Sequence, residues 1–160
     1  MVNKRGDIYE GQWVQGVKEG RGRMVSVQGL IYEGDWKDGK MSGTGKMISN
    51  KGSVYEGSFL EGRYHGRGIL KLNNGEHYTG QWRYGQKHGR GSYRYEIGDQ
   101  YEGGWKNDRP HGLGTMTYAD GTIYSGQWSY GQKHGQGKLT YTNGDKEEGE
   151  FIQGRYGIQK

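Results

Sequence analysis

Tyr32-Glu33-Gly34-Asp35-Trp36, followed by Lys37-Asp38-Gly39-Lys40-Met41-Ser42-Gly43-Thr44-Gly45, decides how this chain folds, because it returns every 23 residues. The tyrosine recurs as Tyr9, Tyr32, Tyr55, Tyr78, Tyr101 and Tyr124. Four residues later comes a large aromatic: Trp13, Trp36, Phe59, Trp82, Trp105, Trp128 and Phe151. Between the two runs an unbroken glycine column from Gly11 to Gly149. No insertion disturbs the register. A fixed period of roughly 20–50 residues marks a repeat architecture.

Each copy reads as a β-hairpin. Ile8 to Val14 alternates with period two and is rich in strand formers. Gln15 to Gly20 reads as a glycine-punctuated loop, Arg21 to Val27 as a second strand, and Gln28-Gly29 as the turn into the next copy. Pro110 falls in the loop, and Asp108 replaces a loop glycine where aspartate tolerates a left-handed backbone. Tyr9, Gly11 and Trp13 share one face of the strand. A mid-strand glycine weakens a strand unless something uses the missing side chain, so a neighbouring ring is expected over the bare backbone. With an odd period, both connections cannot have even length without a bulge. The turn at Gly29 is therefore expected to hold three residues closed by a left-handed glycine.

The composition fits a solenoid better than a globule. Only 29% of residues are hydrophobic, too few for a two-layer core. A solenoid unit packs only on its neighbours, and 5 Trp, 14 Tyr and 2 Phe, periodically placed, supply that packing. No stretch approaches the roughly 20 apolar residues of a membrane span, and residues 1–7 lack the apolar core of a secretory signal. The absence of cysteine removes disulfides, thiolate metal sites and a cysteine nucleophile, and fits a reducing, cytoplasmic setting.

The motifs that could carry chemistry read as structural. Gly20-x-Gly22 and its copies lack the following helix that a phosphate-binding loop needs. His65, His88, His111 and His134 form a column, but two strands per copy set successive imidazoles about 9–10 Å apart. Zinc–nitrogen bonds of about 2.1 Å cannot span that gap, and each histidine is expected to bond its own loop. No nucleophile elbow or positioned carboxylate pair stands out. The expectation is no catalytic residue, no metal, no cofactor and no small-molecule substrate. Basic residues fall in columns: Lys40, Arg63, Arg109 and Arg155; Lys18, Lys87 and Lys133; Arg21, Arg67 and Arg90. They read either as cross-strand partners of Glu10, Glu33, Glu56 and Glu102, or as a cationic loop edge for acidic lipid headgroups. In the second reading the lipid contacts are Lys87, Arg90, Lys133, Arg63 and Arg109. Nucleic acid is not expected, because the core already claims the aromatics.

The pattern Tyr-Glu-Gly-x-Trp-x-x-Gly-x-x-x-Gly-x-Gly resembles the MORN repeat (membrane occupation and recognition nexus). Counted from the first loop glycine, the copies are 6–28, 29–51, 52–74, 75–97, 98–120, 121–143 and a truncated 144–160, in which Glu147 replaces the tyrosine. The resemblance implies an all-β fold: a single-layer, elongated, twisted antiparallel sheet of tandem hairpins. It also implies a scaffold at cortical, ciliary or cytoskeletal structures, with peptides bound along the sheet and phosphoinositides as an alternative ligand. It brings no catalytic residues.

The function read here is a non-enzymatic scaffold that binds a protein segment, a peptide or a helix, along an aromatic sheet face. The candidate contacts are Trp13, Trp36, Phe59, Trp82, Trp105, Trp128, Tyr55, Tyr78, Tyr101 and Tyr124. Tyr84 and Tyr130 join them as loop aromatics outside the core pattern. The alternative is a peripheral membrane adaptor. The C-terminal edge is charged and atypical, as in a cap, whereas Ile8 to Val14 is apolar and suited to edge pairing with a partner strand or a second copy. Fourteen strands at about 4.8 Å would stack to roughly 65–70 Å. Small-angle scattering is expected to show a rod rather than the radius of gyration of about 16 Å of a compact chain this long.

Overall fold

A computed structural model describes residues 6–157. Among them there is no helix. The strands are β1 (Ile8–Val14), β2 (Val17–Val25), β3 (Ile31–Lys37), β4 (Lys40–Ile48), β5 (Val54–Leu60), β6 (Arg63–Lys71) and β7 (His77–Arg83). They continue with β8 (Gln86–Arg94), β9 (Gln100–Lys106), β10 (Arg109–Thr117), β11 (Ile123–Ser129), β12 (Gln132–Thr140), β13 (Lys146–Ile152) and β14 (Arg155–Tyr156). All are antiparallel, in chain order, in one unclosed sheet. The chain divides into a first unit ending at Gly85 and a second beginning at Gln86.

The hairpin is tighter than its glycine content suggests. The expected six-residue loop is a two-residue turn: Val14 pairs with Val17, and Gln15 and Gly16 have φ of 49° and 77°. Two left-handed residues match the twist of a hairpin, so β2 starts four residues earlier than expected. The surplus residues go into a bulge. Gln12 alone stands opposite the stretch from Glu19 to Arg21, between the pairs Gly11–Gly22 and Trp13–Lys18. Gly20 takes φ of 69° there. The side chain at the Gln12 column fills the bulge: Gln12 Oε1 accepts the Arg21 amide at 2.9 Å, and Asp35 Oδ2 accepts the Thr44 amide at 2.7 Å. Asp108 adopts φ of 65° and the hairpin persists, as expected. Pro110, expected in a loop, is the second residue of β10. It fits because its carbonyl, which accepts the Gly131 amide at 2.8 Å, is the group the turn ladder uses.

The connection between repeats holds three residues, as the parity argument requires. Ser26 N–H bonds Leu30 O at 2.8 Å, Gly29 N–H bonds Ser26 O at 2.9 Å, and Gly29 closes the turn with φ of 83°.

The mid-strand glycines are covered by a ring, and it is the repeat's own tyrosine. Tyr32 lies across the cross-strand pair Gly34–Gly45. A Cβ on Gly45 would stand 2.5 Å from Tyr32 Oη and 2.6 Å from Cε2, while one on Gly34 would meet the Gly45 Cα at 2.5 Å. Tyr9, Tyr55, Tyr101 and Tyr124 lie on equivalent pairs. The ring ends on the backbone: Tyr32 Oη donates to Asp35 O at 2.8 Å, and Tyr55 Oη to Ser58 O at 2.9 Å. Gly45→Val is therefore expected to lower stability by about 3 kcal/mol or more, because the branch cannot enter without lifting the ring. Thr44→Ser, one residue away on the opposite face, keeps the hydroxyl that donates to Asp35 Oδ2 and is the control. Equal melting temperatures for the two variants would refute the packing assigned to this column.

Candidate functional site

Side chains alternate across a strand, so the sheet has a ring-bearing face and an opposite face. The ring-bearing face is closed. Tyr32, Tyr55, Tyr78, Tyr101 and Tyr124 have no exposed surface, and Trp36, Phe59, Trp82, Trp105 and Trp128 retain only 4–5%. Tyrosine and tryptophan meet edge to face, which suits their quadrupoles. Tyr9 packs on its own Trp13 at 4.9 Å and on Trp36 of the following repeat at 5.2 Å, and Tyr101 packs on Trp105 and Trp128 at 5.2 Å each. The indole N–H groups of Trp36, Trp82, Trp105 and Trp128 reach back to the preceding repeat. Trp36 Nε1 donates to Gly22 O at 3.0 Å, and Trp128 Nε1 to Gly114 O at 3.1 Å.

A further column closes over the rings. Lys18 Nζ lies 4.5 Å from the Trp36 ring, Lys87 Nζ 4.3 Å from Tyr93, and Lys133 Nζ 5.1 Å from Tyr118. Tyr64 occupies the same column and stacks on Tyr55 at 3.7 Å. Burial depresses the Lys133 ammonium pKa, with Glu147 pulling it back up. Cations held over rings are stabilised by the ring quadrupole. Lys87 and Lys133 therefore belong to the packing rather than to a loop edge. The other basic candidates lie elsewhere: Arg90 on the opposite face of β8, Arg63 and Arg109 at the turn ends of β6 and β10. The structure brings no continuous basic edge together from these five.

The opposite face is open. In the first unit it carries Glu10, Arg23, Glu33, Lys46 and Glu56 side by side, each across from the next. Lys46 and Glu56 approach to 4.0 Å, and Arg21 and Asp35 to 3.4 Å in the adjoining row. Such exposed pairs contribute about 1 kcal/mol at most. A shallow depression of about 550 Å³ lies here, bordered by Arg21, Glu33, Lys46 and Glu56 over the glycine backbone. In the second unit the corresponding row is Glu102, Thr115, Ser125, Lys138 and Glu148.

The turns form a separate exposed line. Tyr84 and Tyr130 are 52% and 53% exposed, and both sit at the first turn position with φ of 49° and 47°. The histidine column acts here, although not on its own loop. Tyr84 N–H approaches His65 Nδ1 at 3.4 Å, and Tyr130 N–H approaches His111 Nδ1 at the same distance. His65 and His111 thus serve the turn of the following repeat. Glu19 does the same for the Asp38 amide at 3.0 Å. No group of three or more metal-ligating side chains occurs among the described residues.

The MORN repeat matches residues 9–31, 32–54, 55–77, 78–100, 101–123 and 124–146 without a gap. The chain belongs to the MORN-repeat family. Among solved structures the fold is similar to the TCP domain of SAS-4 (dCPAP) of Drosophila melanogaster, seen with a proline-rich motif of Ana2 (dSTIL). The TM-score is 0.55 at 19% identity, over 94% of this chain and 82% of that one, which is a likeness of fold. The TCP10 domain of Danio rerio CPAP, with a STIL peptide, aligns over 91% of this chain and 99% of that one. Its identity is 12% and its TM-score 0.23, too low for a shared geometry. No curated protein matches the sequence.

The MORN core thus consumes most of the expected partner contacts. Tyr55, Tyr78, Tyr101 and Tyr124 hold the sheet and offer a partner no surface, and the same holds for Trp36, Phe59, Trp82, Trp105 and Trp128. Trp13, on β1 at the end of the strand order, keeps 39% exposure. Tyr84 and Tyr130 remain available. Of the expected terminal segments, Val2 to Arg5 and Ile158 lie outside the described residues.

Burial raises the phenol pKa along the MORN core. Tyr32 is pushed up from 10.0 to about 12 by desolvation, with the Asp35 charge adding to it. Tyr55 and Tyr101 are also raised, first by burial and then by their neighbours Tyr64 and Tyr95. Below pH 10 these phenols are neutral folded or unfolded. Above it the unfolded chain ionises first, so stability is lost as pH rises through the folded values. The melting temperature is expected to fall steeply between about pH 10 and 12, with tyrosinate absorbance from the core appearing only as the fold is lost. Complete tyrosinate titration in a still-folded chain would contradict this packing.

Proposed function

We propose that this MORN array is a non-enzymatic scaffold that holds a segment of a partner protein, as a subunit of a larger cytoskeletal, ciliary or cortical assembly. The observation that carries the reading is the division of the sheet. One face is sealed by its own rings, while the opposite face and the turn tyrosines stay open. The SAS-4 TCP domain, alike in fold, is seen with a proline-rich motif of Ana2, which supports a protein segment as ligand.

Tyr84 and Tyr130 are the strongest single anchors. A bulky side chain with positive φ costs about 1 kcal/mol or more, and the equivalent positions carry Gln15, Asp38, Glu61, Asn107 and Gln153. The hairpin does not need tyrosine there. An exposed aromatic kept at a strained position fits a hot spot for a partner.

Photocrosslinking amino acids at Tyr84, Tyr130 and Glu33 in the native cell test the reading. The expected result is a discrete protein adduct from these sites and none from a control at the exposed Lys51, in the connection between repeats at the other edge of the sheet. Tyr84→Asn and Tyr130→Asn are expected to weaken partner capture by roughly tenfold or more while stability stays level or rises, since asparagine accepts this backbone conformation. Adducts to lipid alone, or capture unchanged in both variants, would overturn it.

A further inference from the structure

We propose that the open face of the first unit takes an amphipathic α-helix of a partner protein, laid across strands β1 to β5. The inference rests on the scaffold reading above and gives one of its surfaces a specific occupant.

The observation is a row of branched aliphatic side chains. Ile8 pairs with Val25, Val25 with Ile31, Ile31 with Ile48, and Ile48 with Val54. All five are sequence neighbours of Tyr9, Met24, Tyr32, Met47 and Tyr55, which lie on the ring-bearing face, so the five share the open face. Ile8 is exposed and the other four are half-buried. The repeat supplies its own control. The same column carries Lys71 and His77 at the end of the first unit, and Arg94, Gln100, Thr117, Thr140 and Lys146 in the second, with Ile123 as the exception. The fold therefore accepts polar residues there, and five consecutive aliphatics are not a demand of the hairpin. A contiguous apolar strip on an open face marks an interaction site.

Spacing selects the occupant. The row advances once per strand, about 4.8 Å, and runs for about 19 Å. A helix advances about 5.4 Å per turn, so one apolar residue per turn meets one strand, and about 13 residues cover the row. The mismatch accumulates to only about 2.4 Å across four gaps, within side-chain reach. A crossing extended chain repeats a face every 6.6 Å or so and loses step by the third strand. A polyproline II segment, at about 9.3 Å per turn, meets only every second strand and would leave Val25 and Ile48 without a partner.

Charge adds the orientation. Beside the aliphatic row runs Glu10, Arg23, Glu33, Lys46 and Glu56, alternating in sign strand by strand. A complementary helix carries basic and acidic residues alternating once per turn next to its apolar stripe. Opposite charges at i and i+4 also stabilise the helix itself.

The test uses the full 160-residue chain and three synthetic peptides. One, of about 18 residues, has leucine at helical spacing with an adjoining Lys/Glu line that complements the row. The second has the two charges exchanged. The third is proline-rich with the same net charge. Amide NMR titration is expected to show the first peptide shifting β1 to β5 and gaining helical circular dichroism, with the charge-exchanged peptide at least tenfold weaker. Ile31→Thr with Ile48→Thr, a residue the fold already carries at this column, is expected to cut affinity at least tenfold without loss of folding. Glu33→Lys with Lys46→Glu is expected to shift preference toward the exchanged peptide. No binding by either helical peptide, tighter binding of the proline-rich one on this face, or indifference to the threonine pair would overturn the inference. If crosslinks from Tyr84 and Tyr130 persist in that event, the scaffold reading stands and only this occupant falls.

Discussion

A tyrosine ring lying flat on two opposed glycines is the contact on which the structure depends. A single-layer sheet has no second layer to bury its apolar side against, and 29% hydrophobic residues could not build one. Removing two Cβ atoms lets the Tyr32 ring settle onto the Gly34–Gly45 backbone. Its surface is then buried by the strands that carry it. The glycines cost chain entropy and strand propensity. Burying an aromatic of roughly 150–250 Å² offsets that at about 25 cal/mol per Å². The phenol Oη is satisfied by a carbonyl three residues on, so no buried polar group is left without a partner.

From that contact the coupling between repeats follows. With the tyrosine lying down, the tryptophan four residues later stands at its edge and at the edge of the preceding tyrosine. Its indole N–H then meets the carbonyl of the preceding repeat's glycine. The Trp36 repeat is thus tied to the one before it by a ring contact with Tyr9 and an indole hydrogen bond, both of which need the neighbour, which is the nearest-neighbour stability expected of a solenoid. Along the turns the same logic repeats in backbone form, with Gly39 N–H on Lys18 O and Gly62 N–H on Met41 O. A tyrosine that ionised would break both ring contacts at once, which is why burial of these phenols matters beyond their own repeat.

The repeat, its strand pairing and the three-residue turn were legible in the sequence because each follows from a period and a parity. The glycine–ring contact was legible because Gly34 sits where glycine ought to weaken a strand. The two-residue turn was not. Six residues with two glycines look like a loop, and nothing local shows that Gly43 serves a bulge rather than a turn. The lysine column misled for a related reason. Placed in a loop, Lys87 reads as free charge; moved into β8 by the tight turn, it points at Tyr93 and Trp105. The aromatic binding face was overread because a one-layer sheet seemed unable to hide its rings. Glycine backbone on one side and a lid of Lys18, Met41, Tyr64 and Lys133 on the other hide them well.

An array of this kind separates structure from function position by position. Columns that the packing fixes keep one residue type: the tyrosine, the paired glycines, the large aromatic. Columns that the packing leaves open vary, and the variation is patterned. Aliphatics gather at one open column of β1 to β5, where the equivalent strands of the second unit carry mostly polar residues. Tyrosine occupies two turn positions where the other copies carry polar residues at the same backbone conformation. Neither choice is a demand of the hairpin that bears it, since other copies fold without it. In a repeat whose remaining copies show what the fold alone requires, such departures are where the proposed partner would make its contacts.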